Sequence, residues 1–137
     1  MRAFVDTNVV VYAHDRGEPG KRELALELLR APGAQLVISA QVLAEFFVAV
    51  TRKLAAPLPT DVAAAQVQAL SELPVVPIDS DIVAQAIELH QSASLSYWDA
   101  AIVVAARRAG CATLLSEDLA DGQAIAGVEI RNPFSSS

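Results

Sequence analysis

The chain of 137 residues is 53 % apolar, 19 % charged and 5 % aromatic, enough apolar material for the core of one domain, which excludes an intrinsically disordered chain. Its lone cysteine, Cys111, excludes a disulfide scaffold, and its longest uncharged run, Ala31 to Ala44, is broken by Pro32 and Gly33 and falls short of the roughly 18 residues that a bilayer-spanning helix takes. The formal charge of −6 argues against a basic nucleic-acid-binding face, unless acids are gathered round a cation: with four carboxylates so engaged the balance falls to −2.

The predicted elements alternate. A first strand, Ala3-Phe4-Val5, is followed by Asp6 and a helix starting near Asn8. Asp6 interrupts the apolar start and no cleavage-type pattern follows, so no signal peptide is expected and the cytoplasm is the expected compartment. Pro19 to Arg30 places Leu24, Ala25, Leu28 and Leu29 at helical spacing. A second strand, Leu36-Val37-Ile38, leads into a long apolar helix, Ser39 to Leu54. The connector Ala55 to Pro59 is too short to divide domains, and Thr60-Asp61 opens a helix running to Leu73. The third strand is Val75 to Ile78, and the helix Ser80 to Gln91 puts Val83, Ala86, Ile87 and His90 on one stripe. A helix from Ser96 to Arg108 ends at Gly110, before a fourth strand, Ala112 to Leu115, and a short fifth, Val128 to Ile130. The first four strands are apolar almost throughout, as in strands covered on both faces of a parallel sheet. A single domain over 1–134 with a frayed Ser tail, 135–137, is expected.

In open parallel sheets, ligands bind beyond the carboxyl ends of the strands. Asp6 follows the first strand, Asp79 the third, and Ser116-Glu117-Asp118 the fourth, while Asp99 lies in the first turn of the helix entering the fourth. Each acid has an ordinary reading: Asp6, Asp79 and Asp99 as helix caps, the last in the Ser96-x-x-Asp99 pattern, and Asp118 as part of a turn with Gly122. Glu45 fits worst, since its neighbours at helical spacing are Gln41, Val42, Val48 and Ala49, none of them basic. It belongs either to a solvated stripe with Gln41 and Arg52 or to a metal site. Carboxylates gathered without basic companions repel one another and call for a hard divalent cation.

Phe4-Val5-Asp6-Thr7-Asn8-Val9-Val10-Val11-Tyr12, Glu45 in an apolar helix, Tyr97-Trp98-Asp99-Ala100, and Leu115-Ser116-Glu117-Asp118-Leu119 occur in that order, followed by Gly127-Val128 and Asn132-Pro133-Phe134. This set resembles PIN-domain ribonucleases, in particular the compact VapC-type toxins of prokaryotic toxin–antitoxin pairs. The resemblance implies a three-layer α/β/α PIN-like fold whose five-stranded parallel sheet has the order 3-2-1-4-5. It implies an Mg²⁺- or Mn²⁺-dependent endoribonuclease, a homodimer, and inhibition by a cognate antitoxin protein. Carried over residue by residue, Asp6 and Asp99 would bind the metal directly. Glu45 would complete the site, through a water if not directly, and Asp118 would hold a second cation or orient a water. Thr7, Asn8 and Ser116 would support them by hydrogen bonds. Glu117 adjoins Asp118 and competes for the fourth position. Strand order removes Asp79 and Asp81 from the site. Water would attack an RNA phosphodiester in line, leaving a 5′-phosphate and a 3′-hydroxyl.

Arg52, Lys53, Lys21 and Arg22 are candidates for phosphate contact, against ordinary solubilising charge. His90 is expected at the core or its boundary and His14 near the site; neither has a partner at ligand spacing, so zinc is not expected. Cys111 is expected to be inert, and Trp98 to pack against the sheet, with base stacking as the alternative. Two other classes compete: a non-catalytic PIN-like module binding RNA or protein, and a phosphoaspartyl protein of haloacid-dehalogenase or receiver type. The second would want a late lysine or an Asp-x-Asp, whereas the last lysine is Lys53 and the segment reads Asp6-Thr7-Asn8.

Overall fold

The structure is a computed structural model that describes residues 2–135. Six strands form one sheet: β1 (Arg2–Val5), β2 (Gln35–Ser39), β3 (Val75–Val76), β4 (Thr113–Leu115), β5 (Ala124–Ile125) and β6 (Val128–Arg131). Their order is β3-β2-β1-β4-β6-β5. Every pairing is parallel except β5 with β6, and Phe4 lies between Val37 of β2 and Leu114 of β4. The order 3-2-1-4 is as expected, and the expected fifth strand is β6. The additional strand is β5, which folds back on β6 through Ala126 (φ 51°) and Gly127 (φ 84°). Positive φ at both central residues is the geometry of a two-residue hairpin turn.

Six helices complete the chain: α1 (Thr7–Tyr12), α2 (Pro19–Arg30), α3 (Ala40–Arg52), α4 (Thr60–Leu70), α5 (Ser80–Ser92) and α6 (Tyr97–Arg108). On β1, Phe4 and Val5 are both fully buried, as are Val37 and Ile38 on β2. Successive strand side chains point to opposite faces, so both faces of the sheet are covered. Helices α1 to α4 pack in succession, α1 against α2 and α3, and α3 against α4; α5 and α6 form a second pair, with α6 against β2, β4 and β6. Seven consecutive residues of α6, Ala100 to Ala106, are buried, which is possible because four of them are alanines that let neighbouring backbones approach. No helix among the described residues is long and apolar enough to cross a membrane.

Several local expectations are corrected. The third strand stops at Val76, because Pro77 has no N–H to continue the ladder. On α5 the buried side chains are Ile82 and Ala86, while Val83 and Ile87 are 37 % and 44 % exposed. His90 is exposed as well, its Nδ1 2.6 Å from the Leu95 carbonyl oxygen in the connection to α6. The apolar spacing on α5 fits two faces equally, and contact with α6 selects the one through Ile82. Of the expected Ser tail, residues 136–137 lie outside the described residues, and the Ser135 hydroxyl contacts Asp121 and the Asn132 carbonyl.

Candidate active site

The carboxyl ends of β1, β2 and β4 share one edge of the sheet, and the chain leaves each through a short polar side chain: Asp6, Ser39 and Ser116. All three are buried. Ser39 caps α3 through the Val42 amide. Asp6 caps α1, its Oδ1 accepting from the Thr7 amide at 2.7 Å. Ser96 caps α6 by accepting from the Asp99 amide at 3.1 Å. The caps orient the first turns of three helices toward the same edge, where N–H groups and the helix dipole favour negative charge.

Around this edge lies a cleft of about 920 Å³ whose lining includes Asp6, Glu45, Asp99 and Asp118. Four acids far apart in the sequence thus reach one depression, from the β1–α1 junction, α3, α6 and the loop after β4. Neutral donors hold three of them. Ser116 Oγ donates to Asp6 Oδ2 at 2.7 Å, and Thr7 Oγ1 donates to Glu45 Oε1 at 2.7 Å. Asn8 Nδ2 donates to Asp118 Oδ2 at 3.0 Å and lies 3.4 Å from Asp6 Oδ2. Ser116 Oγ also accepts from the Asp118 amide at 3.1 Å. The residues expected to support the acids, Thr7, Asn8 and Ser116, therefore touch them.

The electrostatics of the cleft are one-sided. Burial is the main force pushing Asp6 up from 3.8 to about 6; its bonds to Ser116 and Thr7 oppose this, and the charges of Asp118 and Glu45 add to it. Asp99 is also raised, by burial first, against its bond with Ser96, and further by Asp118 and Glu45. Among the described residues no ion pair involves any of the four acids. Also among the described residues, no three Asp, Glu, His or Cys side chains stand close enough together, as placed, to grip one ion. The acids converge on a common cleft rather than on a finished coordination sphere. Their chemistry nonetheless suits a hard divalent cation: all donors are carboxylate oxygens, one is almost wholly desolvated, and the charges acting on Asp6 and Asp99 are negative.

Glu117 and Asp118 part company. The Glu117 carboxylate accepts from Tyr12 Oη at 2.9 Å and from Lys21 Nζ at 3.1 Å, while Asp118 lines the cleft. Lys21 is thus committed to Glu117. Arg22 does not line the cleft either; its charge acts on His14, which burial mainly, and Arg22 secondarily, holds below the ordinary histidine range. The His14 ring sits edge-on to Phe46. Of the other cations, Lys53 lines the cleft and Arg52 does not.

Trp98 corrects the expectation that it packs against the sheet. It is 62 % exposed at the rim of the cleft, its ring edge-on to Tyr97 at 5.0 Å. The buried stretch of α6 begins only at Ala100, so the first turn overhangs the sheet edge. Gln41 was visible only as part of a solvated stripe. It is buried, and its Nε2 donates to the Trp98 carbonyl at 3.2 Å and lies 3.4 Å from Glu45 Oε2. The approach of α6 to α3 decides that role, and helical spacing within α3 carries no sign of it. Asp15, which no motif marked, also lines the cleft, with Oδ1 bonded to the Gly17 amide.

Comparison with known proteins agrees with this architecture. The sequence model of the PIN domain matches residues 3–120. No curated protein sequence matches the chain. A toxin–antitoxin complex from Klebsiella pneumoniae is similar over 98 % of this chain and 99 % of its own, with 24 % identity and a TM-score of 0.73. Mycobacterium tuberculosis VapC20, described as a sarcin-ricin loop cleaving toxin, is similar over 85 % of this chain and 89 % of its own, with 21 % identity and a TM-score of 0.68. VapBC2 from Rickettsia felis, solved bound to a promoter DNA fragment, is similar over 96 % of this chain and 98 % of its own, at 22 % identity and a TM-score of 0.68. At these identities the structural likeness is one of fold.

Proposed function

The chain belongs to the PIN domain family, and from that premise we propose that it is a metal-dependent endoribonuclease, the VapC-type toxin of a toxin–antitoxin pair. The observation that carries the reading is a set of four acids that have no ion-pair partner among the described residues and line one cleft, with Asp6 almost fully buried among them. A buried carboxylate with only neutral donors costs stability, and a fold that retains it beside three more acids is arranged to bind positive charge. The names of the similar structures support the toxin assignment and a cognate antitoxin as partner. The homodimeric state is carried over from the family resemblance, and the cytoplasmic setting from the composition, whose lone cysteine suits a reducing compartment.

Mg²⁺ or Mn²⁺, when bound, would lower the pKa of water and offset the charge that builds on the phosphate. Asp6 and Asp99 would bind it directly, Glu45 would complete the site, directly or through a water, and Asp118 would hold a second cation or orient the attacking water. The chain's own contribution is placement. Ser116 and Asn8 orient the Asp6 carboxylate, Thr7 turns Glu45, and Asn8 and Ser116 together fix Asp118. In that reaction the water oxygen would bond to phosphorus as the bond to the 3′-oxygen breaks, the water losing a proton and the leaving 3′-oxygen gaining one, which gives a 5′-phosphate and a 3′-hydroxyl. The exposed Lys53 is the cation on the cleft wall suited to contact the RNA backbone.

Purified protein with Mn²⁺ is expected to cut RNA, and Asp99→Asn to leave it intact. Expression without the antitoxin is expected to arrest growth, with relief by Asp99→Asn. RNA left intact by the wild type, or equal toxicity from both proteins, would refute the catalytic account. Trp98, exposed on the rim, is placed to stack an unpaired base. Trp98→Ala is therefore expected to raise KM for RNA roughly tenfold while leaving kcat near wild type, as loss of one stacking contact does. An unchanged KM with loss of antitoxin binding would instead assign the ring to a protein partner.

A further inference from the structure

We propose that Glu117, Lys21 and Tyr12, with Phe134 against them, form a clamp that positions the loop from Ser116 to Asp118 and so sets Asp118 in the cleft; the role rests on the nuclease reading above. The residues around Glu117 come from separate parts of the chain. Tyr12 is the last residue of α1, Lys21 lies in the first turn of α2, and Phe134 belongs to the segment after β6. Tyr12 Oη donates to Glu117 Oε1 at 2.9 Å, and Lys21 Nζ reaches both carboxylate oxygens, at 3.2 and 3.1 Å. Lys21 Nζ also lies 3.3 Å from Tyr12 Oη, 4.8 Å from the centre of the Tyr12 ring and 5.9 Å from that of Phe134. The two rings meet edge to face at 4.9 Å.

On the other side of the same residue, the Glu117 backbone amide donates to Asn8 Oδ1 at 3.2 Å, and Asn8 Nδ2 donates to Asp118 Oδ2. Asn8 and Tyr12 are four residues apart on α1 and so share a face. Glu117 is thus held to that face twice, by its backbone through Asn8 and by its side chain through Tyr12 and Lys21. Two adjacent acids are sorted by this hold: Glu117 turns to Lys21, and Asp118 is left to the cleft. The cation also neutralises a carboxylate that would otherwise add to the repulsion among the acids nearby. The Lys21–Glu117 pair is partly exposed, with side chains 35 % and 27 % accessible, so by itself it adds little to global stability. Its weight falls on where the loop sits.

Lys21→Met and Glu117→Gln in the full chain test this. In the metal-free protein, amide exchange at Glu117 and Asp118 is expected to quicken by about tenfold in either variant while the sheet stays protected. Mn²⁺ titrated without RNA is expected to bind roughly tenfold more weakly, the loss typical of an outer-shell partner. The value of kcat should fall with KM unchanged, the double variant should be no worse than the singles, and Lys21→Arg should restore the wild-type values. Arg108→Gln, which breaks the exposed pair with Asp79, should change none of these. Folded variants with wild-type exchange and wild-type Mn²⁺ affinity would overturn the clamp while leaving the nuclease reading intact. A wild type that binds no Mn²⁺ and cuts no RNA would overturn the nuclease reading, and with it the role assigned to the clamp.

Discussion

Asp6→Asn is expected to abolish RNA cleavage and, in the same molecule, to raise the melting temperature of the metal-free protein above pH 6. The loss of activity should exceed the roughly 10–100-fold that removal of an outer-shell partner costs, because Asp6 is a proposed direct ligand. The gain in stability follows from burial. Asp6 is 4 % exposed, and its carboxyl is pushed up from 3.8 to about 6. Between those two values the native chain keeps a proton that the unfolded chain has released, so stability falls as pH rises through that window. Above about 6 the full cost of the buried charge is present, on the order of 3 kcal/mol. Asparagine carries no such cost and keeps Oδ1 for the Thr7 amide, while its Nδ2, in the place of Oδ2, meets Ser116 Oγ as a donor. Thermal melts in a chelator at pH 4.5 and pH 8 check this: the wild type should lose stability relative to Asp6→Asn as pH rises. Parallel curves for the two proteins would show that Asp6 is not desolvated. Mn²⁺ should reverse the order, raising the wild-type melting temperature and leaving that of the variant almost unmoved.

Phe46→Ala is expected to be the most damaging stability change beside the site. Phe46 follows Glu45 on α3 and is fully buried, with the His14 ring edge-on at 5.4 Å. Truncation loses the transfer energy of the ring and leaves a cavity, at a cost of about 3–5 kcal/mol. For a chain of this size that lowers the melting temperature by roughly 10–15 °C. Val48→Ala, two residues on, should change stability by less than about 0.5 kcal/mol, because Val48 is 46 % exposed. Equal losses from the two variants would contradict the orientation of α3. That orientation presents Glu45 to the cleft and Phe46 to the core.

Much of this was legible before folding. Phe4-Val5-Asp6 reads as a buried strand ending in a carboxylate, and Ser96 with Asp99 reads as a helix start. Both signals are local, and both elements form as expected. Strand β5 was not legible: it is two residues long and exists only because Ala126 and Gly127 turn it onto β6. Its turn carries alanine where Asn-Gly would have announced a hairpin. In the sequence Trp98 reads as core because it is an aromatic side chain in an amphipathic helix, and only the overhang of α6 beyond the sheet edge leaves it in solvent. Gln41 reads as solvated in the sequence because the partner that buries it lies 57 residues away.

The alternation of buried strands and helices, and the acids that end those strands, follow from neighbours a few residues apart and so are readable in the linear chain. Tertiary structure decided which acids share a cleft, which of Glu117 and Asp118 enters it, and which aromatic side chain meets solvent. These outcomes depend on side chains from distant segments, such as Lys21 against Glu117 and Asn8 against Asp118. Adjacent residues of like charge carry no local mark of the partner each will meet.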